Sequence, residues 1–241
     1  MLLIDGDIIA YRIAWACDEE SSEEYAKTSC DTFVSNMLLA YHGKVAKYQL
    51  YLTGKGNFRH EYAVTAPYKG NRKSRPPPRY LPSIREHLIK KWDAVVVEGE
   101  EADDAIAIDA TLIGKDAVMA SIDKDFDQIA GTHYDFIKDR EYYVEPVEGL
   151  KFFYQQIITG DAIDNIIGVD GIGQQGAKDL IQGCRNELDM WDIVRDQIGD
   201  ERALENARLC WLRREAGQIW EPPTTRDIKE VWYGEETSAT H

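Results

Sequence analysis

"DAVVVEGEEADDAIAIDATLIG", residues 93–114, changes character twice. Three consecutive valines, Val95–Val97, suit a parallel strand buried on both faces. The segment from Ala102 to Ile113 reads as a helix, stopped by Gly114. Between them crowd Glu98, Glu100, Glu101, Asp103 and Asp104. One or two acids at a helix start complement the positive end of its macrodipole, but five are too many for that reason alone. What else ends nearby in space decides their meaning.

The same strand-then-acid pattern recurs. "MLLI" runs into Asp5 and Asp7, and "DAVMASI" runs into Asp123, Asp125 and Asp127. "KYQLYLTG" reads as another strand before a glycine turn. A helix is expected over Thr28–Tyr41, where Phe33, Met37, Leu38 and Tyr41 recur at helical spacing. Another is expected to begin at Ser83 as its cap and run to about Trp92. Strands alternating with helices predict an α/β domain with a mainly parallel sheet flanked by helices. Parallel strands end on one edge, and α/β sites lie there. Three strand ends thus bring carboxylates to one region.

Close carboxylates stay ionised together only if a cation offsets their repulsion. Oxygen donors without histidine or thiolate select magnesium or manganese over zinc. So many acids suit two ions, which in phosphodiester enzymes sit roughly 3.5–4 Å apart. Taken singly, each cluster reads as a helix cap or a surface loop. A phosphoacceptor signalling domain also gathers aspartates at a sheet edge, but it leaves the basic stretch and everything after Tyr154 without a role.

The bulk numbers fit. The chain has 241 residues, 44% hydrophobic and 29% charged, as expected of a globular protein. Its N-terminus has no basic region ahead of an apolar one, and no apolar run is long enough to cross a bilayer. Cys17, Cys30, Cys184 and Cys210 form no close pair, which suits reduced thiols in a cytosol. The formal charge of −15 argues against a polyanionic partner, yet Lys69–Arg79, "KGNRKSRPPPR", carries five basic residues and no acid.

"GDAIDNIIGVDGIGQQGAKDLI", residues 160–181, is the second informative stretch. Gly171, Gly173 and Gly176 satisfy the dinucleotide fingerprint, but no βαβ unit surrounds them, so that reading is rejected. A glycine hairpin from Gly168 to Gly173, leading into a helix from Gln174, fits better. Its backbone N–H groups can approach phosphates and grip a duplex without reading sequence, with Lys178 one turn on. Asp161 and Asp164 precede the hairpin and complete the acidic site if this unit folds against the sheet edge.

Together, "LLIDGDIIAYR", "FRHEYAVTAPYKGNR", "EGEEADDAIA", "SIDKDFDQIAG" and the glycine stretch resemble the 5′-nuclease family. That family comprises flap endonucleases, the 5′→3′ exonuclease domain of bacterial DNA polymerase I and stand-alone phage exonucleases. The resemblance spans residues 1 to about 183 and implies a PIN-like, resolvase-like core over residues 1–150, with a basic arch at about 67–92. A helical region over 151–241 would carry a helix–three-turn–helix at about 157–183. It implies a metal-dependent 5′→3′ exonuclease with flap endonuclease activity, acting on duplex DNA with a free 5′ end and on 5′ flaps, and leaves open whether RNA primers are removed.

By match to the family's motifs, Asp5, Glu101, Asp103, Asp104 and Asp123 would hold the tighter Mg²⁺ or Mn²⁺ ion. Asp125, Asp161 and Asp164 would hold the second. Lys69 and Arg72 would act on the scissile phosphate, Tyr68 would stack on a terminal base, and Arg12 would contact phosphate. The hairpin would hold K⁺. The resemblance further implies a monomer in the cytoplasm, that of a bacterial host if phage-encoded. Glu100, Asp7 and Asp127 have no secure counterpart and read as outer shell or surface. Thr53 stands where the family usually has an aspartate, which leaves open whether Asp7 substitutes from the neighbouring strand or the chain is a branched-DNA-binding protein of weak catalysis. A PIN-type ribonuclease, which lacks the glycine hairpin, is the other alternative. The tryptophans Trp191, Trp211, Trp220 and Trp232 are expected to pack the C-terminal helices, and "GEETSATH" to end the chain as a frayed tail.

Overall fold

β1 (Leu2–Asp5) is wholly buried, and its side chains alternate between two cores. Leu2 and Ile4 pack with one set of helices, whereas Leu3 packs on the opposite face. This is the period of a strand covered on both sides. The computed structural model describes residues 1–17, 20–74 and 76–224.

α1 (Gly6–Ala16) follows β1 without a loop, because the Asp5 carboxylate accepts the Ile8 N–H at 3.0 Å and caps the helix. Gly6 is required there, since a Cβ would sit 2.6 Å from the Tyr51 carbonyl oxygen. α2 (Glu23–Ala40) starts five residues before the expected Thr28, because Ser22 caps it by accepting the Tyr25 N–H at 3.0 Å. β2 (Tyr48–Thr53) then pairs with β1 in parallel. A short helix α3 (Arg59–Tyr62) and a 3₁₀ turn (Gly70–Ser74) lead to α4 (Leu81–Trp92).

α4 begins at Leu81 rather than behind a Ser83 cap. Pro82 sits in the first turn, where its missing N–H costs nothing, and the Ser83 hydroxyl instead donates to the Tyr80 carbonyl at 3.1 Å.

β3 (Val95–Val97), α5 (Ala102–Ile113) and β4 (Val118–Ala120) match the expected elements. The valine strand is not buried on both faces, however. It lies at the sheet edge with Val95 46% and Val96 37% exposed. β5 (Gly131–Asp135) and β6 (Arg140–Val144) form an antiparallel hairpin that sequence periodicity did not reveal.

The sheet order is β3-β2-β1-β4-β5-β6, parallel except for the last pair. The chain moves outward from β1 through β2 to β3, then returns to the other side of β1 at β4. That reversal makes the ends of β1 and β4 a topological switch point, where α/β folds place their clefts. α1, α2 and α4 cover one face and α5 the other.

α6 (Pro146–Thr159), α7 (Gln174–Ile181), α8 (Glu187–Ile198) and α9 (Asp200–Cys210) build a third core. Trp191 packs on Trp220 with ring centroids 5.0 Å apart, and Trp211 on Phe153 at 4.9 Å. Trp232 and the expected tail lie outside the described residues. "GDAIDN" is neither helix nor plain loop: β7 (Gly160–Asp161) pairs with β8 (Ile166–Ile167), so Asp161 and Asp164 stand on a small hairpin.

Candidate active site

The strand ends and the β7–β8 hairpin enclose one cavity of about 610 Å³. Eight carboxylates line it: Asp5, Asp7, Glu101, Asp103, Asp123, Asp125, Asp161 and Asp164. They come from four places in the sequence, each fixed by local structure. Asp5 ends β1 and receives the Ser121 hydroxyl at 2.8 Å. Asp103 lies in the first turn of α5. Asp123 caps the 3₁₀ turn Lys124–Gln128 by accepting the Asp125 N–H at 2.9 Å. Asp125 accepts from the Gln156 amide of α6 at 2.7 Å. Asp161 accepts the N–H groups of Ile163 and Asp164 at 2.7 and 3.2 Å, which shapes the turn between them.

Burial dominates the electrostatics. It pushes Asp5 up to about 7, with Asp7 and Asp123 adding repulsion. Burial and then Asp123 and Asp161 push Asp125 up to about 7. Asp103 is raised well above the usual carboxylate range by burial, Asp5 and Glu101, and Asp123 is raised by burial and the two hairpin aspartates. Such groups hold their protons to higher pH than ordinary carboxyls unless a cation replaces them.

The basic side chains meet this acidic wall directly. Lys69 pairs with Glu101, and Arg72 reaches Asp164 at 2.5 Å. Lys69 has φ +53°, and its N–H donates to the Asp164 carbonyl at 2.8 Å. An uncommon backbone conformation thus aims its ammonium into the cavity. Lys124 stands 3.8 Å from Asp161.

Two expected roles need correction. Asp104 does not face the cavity. It is fully buried and accepts a forked pair of bonds from Arg59 at 2.6 and 2.8 Å, plus the N–H groups of Arg213 and Glu101 at 3.1 and 3.2 Å. With two donors on each oxygen, it anchors the core and has no lone pair left for a metal. Tyr68 is 4% exposed, too buried to stack on a base. Its hydroxyl lies 3.0 Å from Glu101 and 2.8 Å from Asp164 and shares its single proton between them, so it orients two cavity acids. Arg12 is exposed on α1 and does not line the cavity, whereas its neighbour Tyr11 does.

Glu100 and Asp127 stand outside the cavity. Glu100 pairs with Arg213 at 2.7 Å, and Asp127 accepts the Tyr142 hydroxyl at 2.7 Å. On the glycine hairpin, Gly171 has φ +78° and Gly173 precedes α7, both exposed with open space where a Cβ would stand. Gly176 and Lys178 are exposed on α7.

Sequence reading missed Arg59, Arg85, Gln156 and Ser121. The buried Arg59 had one available signal, its place directly after Phe58 in the quoted "FRHEY" stretch.

The donor set suits a hard divalent cation. The acids offer only oxygen, no histidine lines the cavity, and Cys210 at its wall is a buried thiol held well above its usual pKa. Among the described residues no three His, Cys, Asp or Glu side chains form a closed ligand cage, so the acids face a shared space rather than a finished site.

Comparison with known proteins places this geometry. The family model for the 5′-3′ exonuclease N-terminal resolvase-like domain matches residues 1–155. DNA polymerase I of Bacillus caldotenax is 32% identical over 90% of this chain, which spans 28% of that relative's length. The flap endonuclease of Escherichia phage T5 is 28% identical, covering 80% of this chain and 72% of its own. A solved complex of the T5 flap endonuclease with DNA and metal ions superposes with a TM-score of 0.68 at 22% identity, covering 87% of this chain and 88% of that one. At that identity the likeness speaks for the fold, a mostly parallel sheet with a helical part.

Proposed function

Because the chain belongs to the 5′-3′ exonuclease family by its resolvase-like domain, we propose that it is a metal-dependent 5′→3′ exonuclease with flap endonuclease activity on DNA. The observation that carries this reading is the set of carboxylates around one cavity with Lys69 and Arg72 at its wall.

In this reading residues 1–150 carry most of the chemistry, Asp161 and Asp164 complete it from the β7–β8 hairpin, and the glycine hairpin before α7 grips the duplex. Two Mg²⁺ or Mn²⁺ ions, held by Asp5, Glu101, Asp103 and Asp123 and by Asp125, Asp161 and Asp164, would supply a nucleophilic water at neutral pH and offset phosphoryl charge.

The protein's own groups do the rest. Ser121 and Gln156 fix the rotamers of Asp5 and Asp125. Tyr68 spans Glu101 and Asp164 and keeps both turned inward. Lys69 and Arg72 exchange their carboxylate partners for the scissile phosphate and neutralise the charge that grows on it. Water attacks phosphorus, the bond to the 3′ oxygen breaks, and that oxygen takes a proton. The products are a 5′-phosphate and a 3′-hydroxyl.

The hairpin at Gly171–Gly176 and Lys178 hold duplex phosphates, with K⁺ on the hairpin carbonyls. RNA primers, a monomeric state and a cytoplasmic setting belong to the same proposal.

Labelled 5′-flap and blunt duplexes, incubated with Mg²⁺ or Mn²⁺ and with a chelator, test it. Product released from the 5′ side only with metal supports the reading. No product from any 5′-ended substrate with either ion refutes it, and equal or better cutting of single-stranded RNA favours a ribonuclease.

A further inference from the structure

The ring of acids around the cavity has an apparent gap at the end of β2, where the residues are Thr53 and Gly54. Thr53 cannot fill it. Its hydroxyl oxygen accepts the Ala102 N–H at 2.9 Å, so it is already used to secure the first turn of α5.

The carboxylate of Asp7 occupies that corner instead. Asp7 belongs to the first turn of α1, yet one of its oxygens accepts the Thr53 backbone N–H at 2.8 Å, beyond the end of its own strand. Its other oxygen is paired with Arg85 of α4, whose guanidinium also donates to the Thr53 carbonyl. Arg85 therefore ties Asp7 to the backbone of β2 from the far side. Both side chains line the cavity and are about a quarter exposed, at 22% and 24%.

We propose that Asp7 is a metal-binding carboxylate of this cavity, positioned over the β2 corner by the Thr53 amide and Arg85, and serving the place where Thr53 offers no acid. The assignment rests on the nuclease reading above and extends its ligand set. An aspartate on the first turn of a helix reaches sideways to the neighbouring strand, so position 53 can be neutral while the carboxylate count stays the same. A hard cation takes such an oxygen whether it comes from a strand or from a helix.

The test is Mn²⁺ uptake by the metal-free protein, followed by loss of the free-ion electron paramagnetic resonance signal, with no nucleic acid present. Asp7→Asn keeps the size and one acceptor oxygen, for either Thr53 or Arg85, but removes the charge and turns an amide NH₂ toward the other donor. It is expected to weaken uptake at one site at least tenfold. Adding Thr53→Asp to that variant restores uptake to within a few-fold of the unmodified protein. The same Thr53→Asp change added to Asp5→Asn does not. Metal-free melting curves establish that each variant is folded.

Unchanged Mn²⁺ uptake by folded Asp7→Asn overturns the assignment while leaving the nuclease reading intact. So does a loss that Thr53→Asp fails to repair in a variant that still melts cooperatively. If the unmodified protein itself takes up no Mn²⁺, both this assignment and the nuclease reading fall.

Discussion

Replacing Asp104 by asparagine separates the anchoring role seen in the structure from the ligand role that its motif implies. Arg59 is 1% exposed, and four of its five guanidinium N–H groups are hydrogen-bonded: two to Asp104, one to the Leu209 carbonyl at 2.9 Å and one to the Trp211 carbonyl at 2.7 Å. Burial alone would lower the Arg59 pKa, but the Asp104 charge raises it instead, so Arg59 stays a cation. Asp104→Asn leaves that cation without its counter-charge and sets an amide NH₂ against guanidinium and backbone donors. Breaking one side of a buried pair costs about 3–5 kcal/mol. With a urea slope near the upper end of the usual range, about 3 kcal/mol/M, the midpoint falls by roughly 1 M or slightly more. The double change Arg59→Met with Asp104→Leu removes both charges and recovers most of the loss, because an apolar pair of similar volume tolerates the site. Urea unfolding of the metal-free variants reads this out. A midpoint within about 0.3 M of the parent, well below the shift estimated from the buried pair, combined with the loss of one bound Mn²⁺, would show that Asp104 is a ligand and refute the reasoning.

Three further outcomes are expected. Lys69→Ala lowers turnover on a 5′ flap by about 10²–10³, as loss of one aimed transition-state donor does, while duplex binding measured by anisotropy changes little. In the metal-free protein, Asp5 and Asp125 have folded pKa values raised to about 7. The native state therefore binds more protons than the unfolded chain between about pH 4 and 7, and thermal stability falls as pH rises through that window. Saturating Mg²⁺ reverses the slope, because the ions displace those protons; calorimetric scans at pH 5 and 7.5 check both signs. Gly168→Ala puts a Cβ 2.2 Å from the Thr159 carbonyl carbon and costs well over 1 kcal/mol, whereas Gly173→Ala enters open space at φ −87° and leaves the melting temperature unchanged.

Much of the fold was legible because each strand–helix step carries its own signal. Leu2–Asp5 reads as a buried strand ending in carboxylates, whereas α1 directly behind it gave no sequence expectation. The missed pair, Gly131–Asp135 and Arg140–Val144, runs along the sheet margin, where Tyr143 is 59% exposed and charged residues interrupt any alternation. The valine strand misled in the opposite sense, since three valines look alike at an edge and at a centre.

At the site, sequence found the acids but could not tell where each one points. Asp103 and Asp104 are neighbours in the chain, yet successive positions on a helix diverge by about 100°, so one faces the cavity and the other the core. Their partners came from afar: Arg59 for Asp104, and Arg85 for Asp7. Tyr68 was read as a stacking ring because an aromatic beside two basic residues invites that role. Only its depth, with the hydroxyl on two carboxylates, shows otherwise.

α6 touches the chemistry at two points. Its Gln156 holds Asp125, and its last turn runs into the segment carrying Asp161, where the Val169 N–H donates to the Ile158 carbonyl at 2.7 Å. The last turn of α6 thus contacts both the glycine hairpin and the pocket wall. In the proposed nuclease, a shift of that one turn moves both contacts, which couples the hold on nucleic acid to the hold on divalent ion. Thermodynamic reciprocity then demands that uncleavable duplex sharpen ion uptake by the same factor that the ion sharpens hold on the duplex. Two titrations, each run with and without the other partner, yield one common number.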